Sequence, residues 1–157
     1  MREHLAGARW SRPEGRHLTL KFLGEVPDDR VDAISRSLGD AVAGRQPFRA
    51  AFDVLGGFPN LRRPRVLWLG IGKGSDELAA LAADVEGVLQ PLGFPGEERP
   101  FRSHFTLARF PKPSVVGELP DVTVPRRSFA VDELVLFRSQ LHPKGARYTA
   151  LERFPLT

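Results

Sequence analysis

Strand and helix periodicities mixed in one chain of 157 residues predict an α+β or α/β sandwich. Three observations carry this. Period-two alternation recurs in several segments, two stretches place apolar residues at helical spacing, and Pro and Gly clusters, with no Ser/Gly linker, separate them. A domain averages about 150 residues, so one domain is expected, with two small lobes meeting near residues 73–75 or 93–100.

Residues 17–24, HLTLKFLG, put Leu18, Leu20 and Phe22 on one face of a strand and His17, Thr19 and Lys21 on the other. Residues 28–42 carry Val31, Ile34, Leu38, Ala41 and Val42 at helical spacing, with Asp28 and Asp29 placed for a helix N-terminus. Residues 48–55 and 65–71 read as a hairpin-like pair of strands around the turn-rich segment GGFPNLRRP. A second helix spans 75–92, with Leu78, Leu81, Ala82, Val85 and Leu89 on one stripe and Gly93 as its stop. Residues 104–110, 128–137 and 146–154 complete the strands.

With 41% hydrophobic and 27% charged residues, the composition excludes a disordered chain. No stretch approaches the roughly 18 apolar residues of a spanning helix, and the first residues are charged, so a soluble, cytoplasmic protein without membrane association is expected. The absence of cysteine removes disulfides, iron-sulfur clusters, cysteine zinc sites and thiol nucleophiles. A net charge of +4 points to an anionic partner. Of the 23 basic residues 19 are Arg and 4 are Lys, and Arg grips phosphate bidentately. Codon usage would give the same richness, so the case for phosphate has to come from a motif.

That motif is a repeat. His17-Leu18-Thr19-Leu20 and His104-Phe105-Thr106-Leu107 match in type and spacing, each on a predicted strand. Two of four His gaining a Thr two positions on has roughly a 0.6% chance in a shuffled chain, low enough to treat the repeat as functional. Residues i and i+2 of a strand share a face, so each repeat presents an imidazole beside a hydroxyl. Two such strands about an approximate two-fold axis would surround one bound group. One neutral His takes a proton from an attacking oxygen, the other, protonated, supplies one to a leaving oxygen, and the hydroxyls donate to non-bridging oxygens. A phosphodiester is the expected substrate. Arg109 is a candidate for stabilising developing charge, but its odd offset from His104 turns it to the opposite face of an ideal strand. A bulge, or a bend near Pro111, is required to bring it round.

The segments HLTLKFLGEV, GGFPNLRRPRVLWLGI, FRSHFTLARF and YTALERFPL closely resemble the 2H phosphoesterase superfamily, specifically the bacterial and archaeal RNA 2',3'-cyclic phosphodiesterases, also called 2'-5' RNA ligases, over almost the whole chain. The resemblance implies a two-lobed, pseudo-symmetric α+β fold, with antiparallel sheets lining a central cleft and helices outside. Residues 1–157 would form a single domain in which each lobe contributes one motif strand, residues 17–20 and 104–107. It implies hydrolysis of RNA 2',3'-cyclic phosphate ends to 2'-phosphates without metal or other cofactor, and ATP-independent 2'-5' joining of RNA. By this likeness His17 corresponds to the proton donor to the 3' oxygen and His104 to the base that activates water. Thr19, Thr106 and Arg109 correspond to phosphate-binding positions. RNA with a cyclic phosphate end, tRNA halves included, is the implied partner, with no obligate protein partner. The family usually has a strand and helix before the first motif; with 16 residues ahead of His17 these are expected to be absent, leaving one lobe an unpaired edge. Ser103 stands where Pro is common, with a small expected effect on local stiffness.

Around these residues, Phe22 and Phe58 are candidates for stacking a base, and Arg62 and Arg63, with Arg65, for attracting an RNA backbone. Trp68, flanked by Val66, Leu67, Leu69 and Ile71, is expected in the core. His4 and His142 lack a partner Thr and are expected at the surface or terminus. Two rival functions remain open: a non-catalytic RNA-binding module, which needs no paired His and Thr, and a 2H enzyme acting on a small nucleotide such as ADP-ribose cyclic phosphate. A metal site built from the His ranks last, because no Asp or Glu repeats with them at ligand spacing.

Overall fold

Alternation and helical spacing resolve into two α-helices and seven strands among the residues that a computed structural model describes, 5, 7–11, 16–112, 124, 127–143 and 145–157. In chain order they are β1 (Arg9–Trp10), α1 (Val31–Val42), β2 (Phe48–Phe58), β3 (Val66–Ile71), α2 (Ser75–Leu89), β4 (His104–Arg109), β5 (Ser128–Val131), β6 (Glu133–Gln140) and β7 (Arg147–Pro155). The mixture is α+β. His4 and residues 113–123, which separate two of the predicted strands, lie outside the described residues.

The chain divides into two compact units. Unit 1 comprises Met1–Thr19, Ala50–Ser75 and Arg102–Phe129 and holds nearly all of a five-stranded sheet ordered β1-β4-β3-β2-β5. The β1–β4, β4–β3 and β3–β2 pairs are antiparallel. One face of this sheet is apolar: Leu67 and Ala108 are fully covered and pack with Leu5 and Phe110, while Trp10, Leu55 and Leu107 flank them. Phe52 extends the same face, its ring 5.7 Å from that of Phe105 and 5.1 Å from that of Phe129.

Unit 2 comprises Leu20–Arg49, Asp76–Phe101 and Ala130–Thr157. Here α1 and α2 turn Ile34, Leu38, Leu81, Val85 and Leu89 onto Phe94, Phe154 and Leu156. Truncating a residue as covered as Leu81 costs about 2–5 kcal/mol by lost transfer and residual cavity. A 3-10 turn, Gln90–Leu92, follows α2 and ends at Gly93, whose φ of 86° is the left-handed conformation that glycine adopts freely. The antiparallel ribbon β6–β7 completes the unit.

Three sequence expectations change. Residues 17–24 do not form a continuous strand; Leu18 makes a single antiparallel bridge to Phe105. Residues 128–137 break at Asp132 into β5 and β6, which join different sheets. Lys21, expected on the open face with His17 and Thr19, instead has a side chain only 4% exposed. Its ammonium donates to the Pro95 carbonyl at 2.8 Å and pairs with Glu86 Oε1 at 3.2 Å within unit 2. Unit 1 holds His17 to Thr19 of the first motif and all of the second.

Candidate active site

In an antiparallel pair, directly opposed residues share a face. Opposite β3, the register runs Gly70 to His104, Leu69 to Phe105 and Trp68 to Thr106, then slips so that Leu67 meets Ala108 and Val66 meets Arg109. Leu107 is the extra residue of this bulge. Without it Arg109 would face the apolar side; with it, His104, Thr106 and Arg109 all share the face of Gly70, Trp68 and Val66. The bulge required of Arg109 by its odd offset is therefore present, two residues before it.

On the other edge of β4, the Leu18–Phe105 bridge sets the two repeats antiparallel. His17 and Thr19 flank the bridging Leu18, as His104 and Thr106 flank Phe105. His17 and His104 are half-buried and Thr19 is exposed.

His104 is braced. Its Nδ1 lies 2.7 Å from the Arg102 carbonyl oxygen. A carbonyl only accepts, so Nδ1 carries the proton of this bond and Nε2 of the neutral ring holds the free lone pair. The Phe58 ring meets the imidazole edge-on at 5.3 Å between centroids, and Trp68 stands 6.1 Å away, itself 5.2 Å from Phe58. Trp68 is thus half-buried on the site face, not in the core: its run is apolar on both sides, and its buried side chains, Leu67 and Ile71, are on the reverse. Its indole lies over Gly56, where a Cβ would come within 2.5 Å of Cε2. Among the described residues Trp68 Nε1, buried, has no hydrogen-bond partner.

Of the residues singled out for RNA contact, Phe58 belongs to this face through its register with Val66. Arg62 and Arg63 lie on the exposed loop that follows it, where both backbone N–H groups donate to Asn60 Oδ1 at 3.1 and 3.0 Å. Phe22 is 74% exposed and belongs to unit 2. The sequence favoured the core for Trp68 over stacking a base, and it did not single out Arg9, whose strand of two residues is too short to show alternation. Among the described residues, no group of three His, Asp or Glu is arranged to hold a metal ion, and no helix is long and apolar enough to cross a membrane.

The family model of the 2'-5' RNA ligase superfamily matches residues 6–143. The chain belongs to that superfamily. Among its relatives, the RNA 2',3'-cyclic phosphodiesterase of Archaeoglobus fulgidus is 36% identical over 155 residues, covering 96% of this chain and 85% of the relative. That of Thermus thermophilus is 40% identical over 152 residues, covering 92% and 73%. The crystal structure of Escherichia coli LigT complexed with 3'-AMP superposes with a TM-score of 0.77 at 31% identity, covering 99% of this superfamily member and 86% of LigT. The α+β architecture read from the sequence is that of this superfamily.

Proposed function

We propose that this chain hydrolyses RNA 2',3'-cyclic phosphodiester ends to 2'-phosphomonoesters, with His17 and His104 as acid and base. The observation that supports the reading is the antiparallel bridge between the two repeats at Leu18 and Phe105, from which strand alternation would carry both imidazoles and both hydroxyls to one face. Relatives at 36% and 40% identity bear the name RNA 2',3'-cyclic phosphodiesterase.

In the proposed step a water oxygen attacks phosphorus while His104 Nε2 takes its proton. The phosphorus–O3' bond breaks, and protonated His17 gives its proton to O3', leaving the phosphate on O2'. The Arg102 carbonyl fixes the His104 tautomer that makes Nε2 the base. Thr19 and Thr106 donate to the non-bridging oxygens, and Arg109, turned to this face by the Leu107 bulge, offsets the charge that develops on them. ATP-independent 2'-5' joining is the same step with an RNA 5'-hydroxyl in place of water: His104 takes its proton, the new bond forms from O5' to phosphorus, and the phosphorus–O3' bond breaks with the His17 proton going to O3'. RNA halves, those of tRNA included, are the proposed source of such ends, with Phe22, Phe58, Arg62 and Arg63 contacting the flanking strand.

Hydrolysis of a short RNA with a cyclic end, in excess EDTA, tests this. Release of a 2'-phosphate by the parent, lost in His17→Ala and His104→Ala, is expected. A 3'-phosphate product, or a parent that binds the RNA without cleaving it, overturns the reading in favour of another mechanism or of a binding module.

A further inference from the structure

β1 is only two residues long, yet its register is informative. Arg9 stands directly opposite Arg109 and Trp10 opposite Ala108. Trp10 packs against the Leu67–Ala108 core, so Arg9 projects from the other face, the one that carries His104, Thr106 and Arg109. Arg9 and Arg109 are both exposed, and among the described residues no carboxylate pairs with either. Directly opposed like charges are destabilising across a strand pair. Two phosphates, one at each guanidinium, offset that repulsion with charge-assisted contacts.

On the proposed pairing of the repeats, which extends the Leu18–Phe105 bridge by one residue each way, the face has three successive rows: Thr19 with His104, His17 with Thr106, and Arg9 with Arg109. The third row lies two β3 positions beyond the second, from Trp68 to Val66, or about 7 Å at the rise of a strand. A cyclic phosphate carries a single negative charge, which Arg109 already answers. A second guanidinium on the outer strand has no charge left to meet on a mononucleotide. It has one on an oligonucleotide, whose next phosphodiester lies one nucleotide upstream. We infer that Arg9 binds the backbone phosphate immediately 5' of the reacting nucleotide and so makes the site selective for RNA chains over cyclic mononucleotides. This rests on the proposed hydrolase reading of the same face.

The test compares the parent, Arg9→Ala and Arg9→Lys on a trinucleotide with a 2',3'-cyclic end and on a nucleoside 2',3'-cyclic phosphate. The ratio of kcat/KM for trinucleotide over mononucleotide is expected to fall about tenfold in Arg9→Ala, chiefly through KM, with partial recovery in Arg9→Lys, a point charge without the fork. The slope of log affinity against log salt for the trinucleotide should fall by about 0.7, the share of one single-strand phosphate contact. Equal losses on both substrates place Arg9 at the reacting phosphate or in the fold, and an unchanged ratio removes it from recognition; either overturns the inference. A parent that cleaves neither substrate refutes the hydrolase reading alone. Arg9 is then judged by binding of the trinucleotide 2'-phosphate against the nucleoside 2'-phosphate. A loss confined to the trinucleotide supports the inference, and equal or absent losses overturn it.

Discussion

Replacing Gly56 by Ala probes the wall behind His104. The added Cβ would sit 2.5 Å from Trp68 Cε2 and nearer still to Cζ2 and Cη2. Carbon atoms settle at about 3.5–4.0 Å, so the indole must withdraw by at least about 1 Å. It is hemmed by Phe58 at 5.2 Å and His104 at 6.1 Å between centroids, and Gly56 is fixed opposite Trp68 in the β2–β3 ladder. Two effects compete. Gly to Ala in an extended conformation stabilises by about 0.4–1 kcal/mol through the unfolded chain, whereas overpacking costs about 1–3 kcal/mol. The clash wins. A net loss of about 1–2 kcal/mol corresponds to a fall in Tm of about 2–8 °C for a chain of this size. Because a shift of about 1 Å in a catalytic group can cost about a hundredfold, hydrolysis should fall by about tenfold or more at a temperature where the variant is folded. Adding Trp68→Phe, which removes the atoms that collide, should restore part of the lost Tm, giving a favourable coupling in a double-mutant cycle. A Gly56→Ala protein with unchanged Tm and full activity would show that Trp68 neither occupies this position nor braces His104.

Three further outcomes follow from the same geometry. Glu86 has its carboxyl held below its usual 4.5 by the Glu97 backbone N–H and, against the opposing cost of burial, by the Lys21 ammonium. A depressed carboxyl stabilises the folded state above its unfolded pKa and loses that contribution as pH falls through the folded one. The Tm difference between parent and Glu86→Gln should therefore be fully present above pH 4.5 and shrink on further acidification; a constant difference contradicts the network. Lys21→Met should lower Tm at neutral pH, since it strips the Pro95 carbonyl and Glu86 of their donor. Because one His must be neutral and the other charged, kcat/KM should pass through a maximum between about pH 5 and 9, with limbs that belong to the coupled pair. A monotonic profile counts against two-histidine catalysis.

Much of this architecture was legible because it is periodic. Helical spacing from Val31 to Val42 and from Leu78 to Leu89 marked both helices, and their apolar stripes are the core of unit 2. The paired motifs were legible as a repeat whose chemistry depends only on residue type and the two-residue period of a strand. What escaped was decided by long-range pairing. The Leu107 bulge arises from how β4 matches β3, and no local signal at Leu107 announces it, although Arg109 demanded it. Arg9 gains its meaning only from standing opposite Arg109, and β1 is too short to be seen. Trp68 misled because a run apolar on both faces looks buried on both. Lys21 follows the alternation of its neighbours in sequence, yet its long stem lets the ammonium reach Glu86, 65 positions away.

The most direct measurement of the central claim separates the two histidines by leaving group. In a substrate whose 3' bridging oxygen is replaced by sulfur, the departing thiolate needs no proton. If His17 is the acid and His104 the base, His17→Ala should recover to within about tenfold of the parent on this substrate while His104→Ala stays slow. Equal recovery of both variants, recovery of His104→Ala alone, or recovery of neither would contradict the assignment of acid and base across the antiparallel pair.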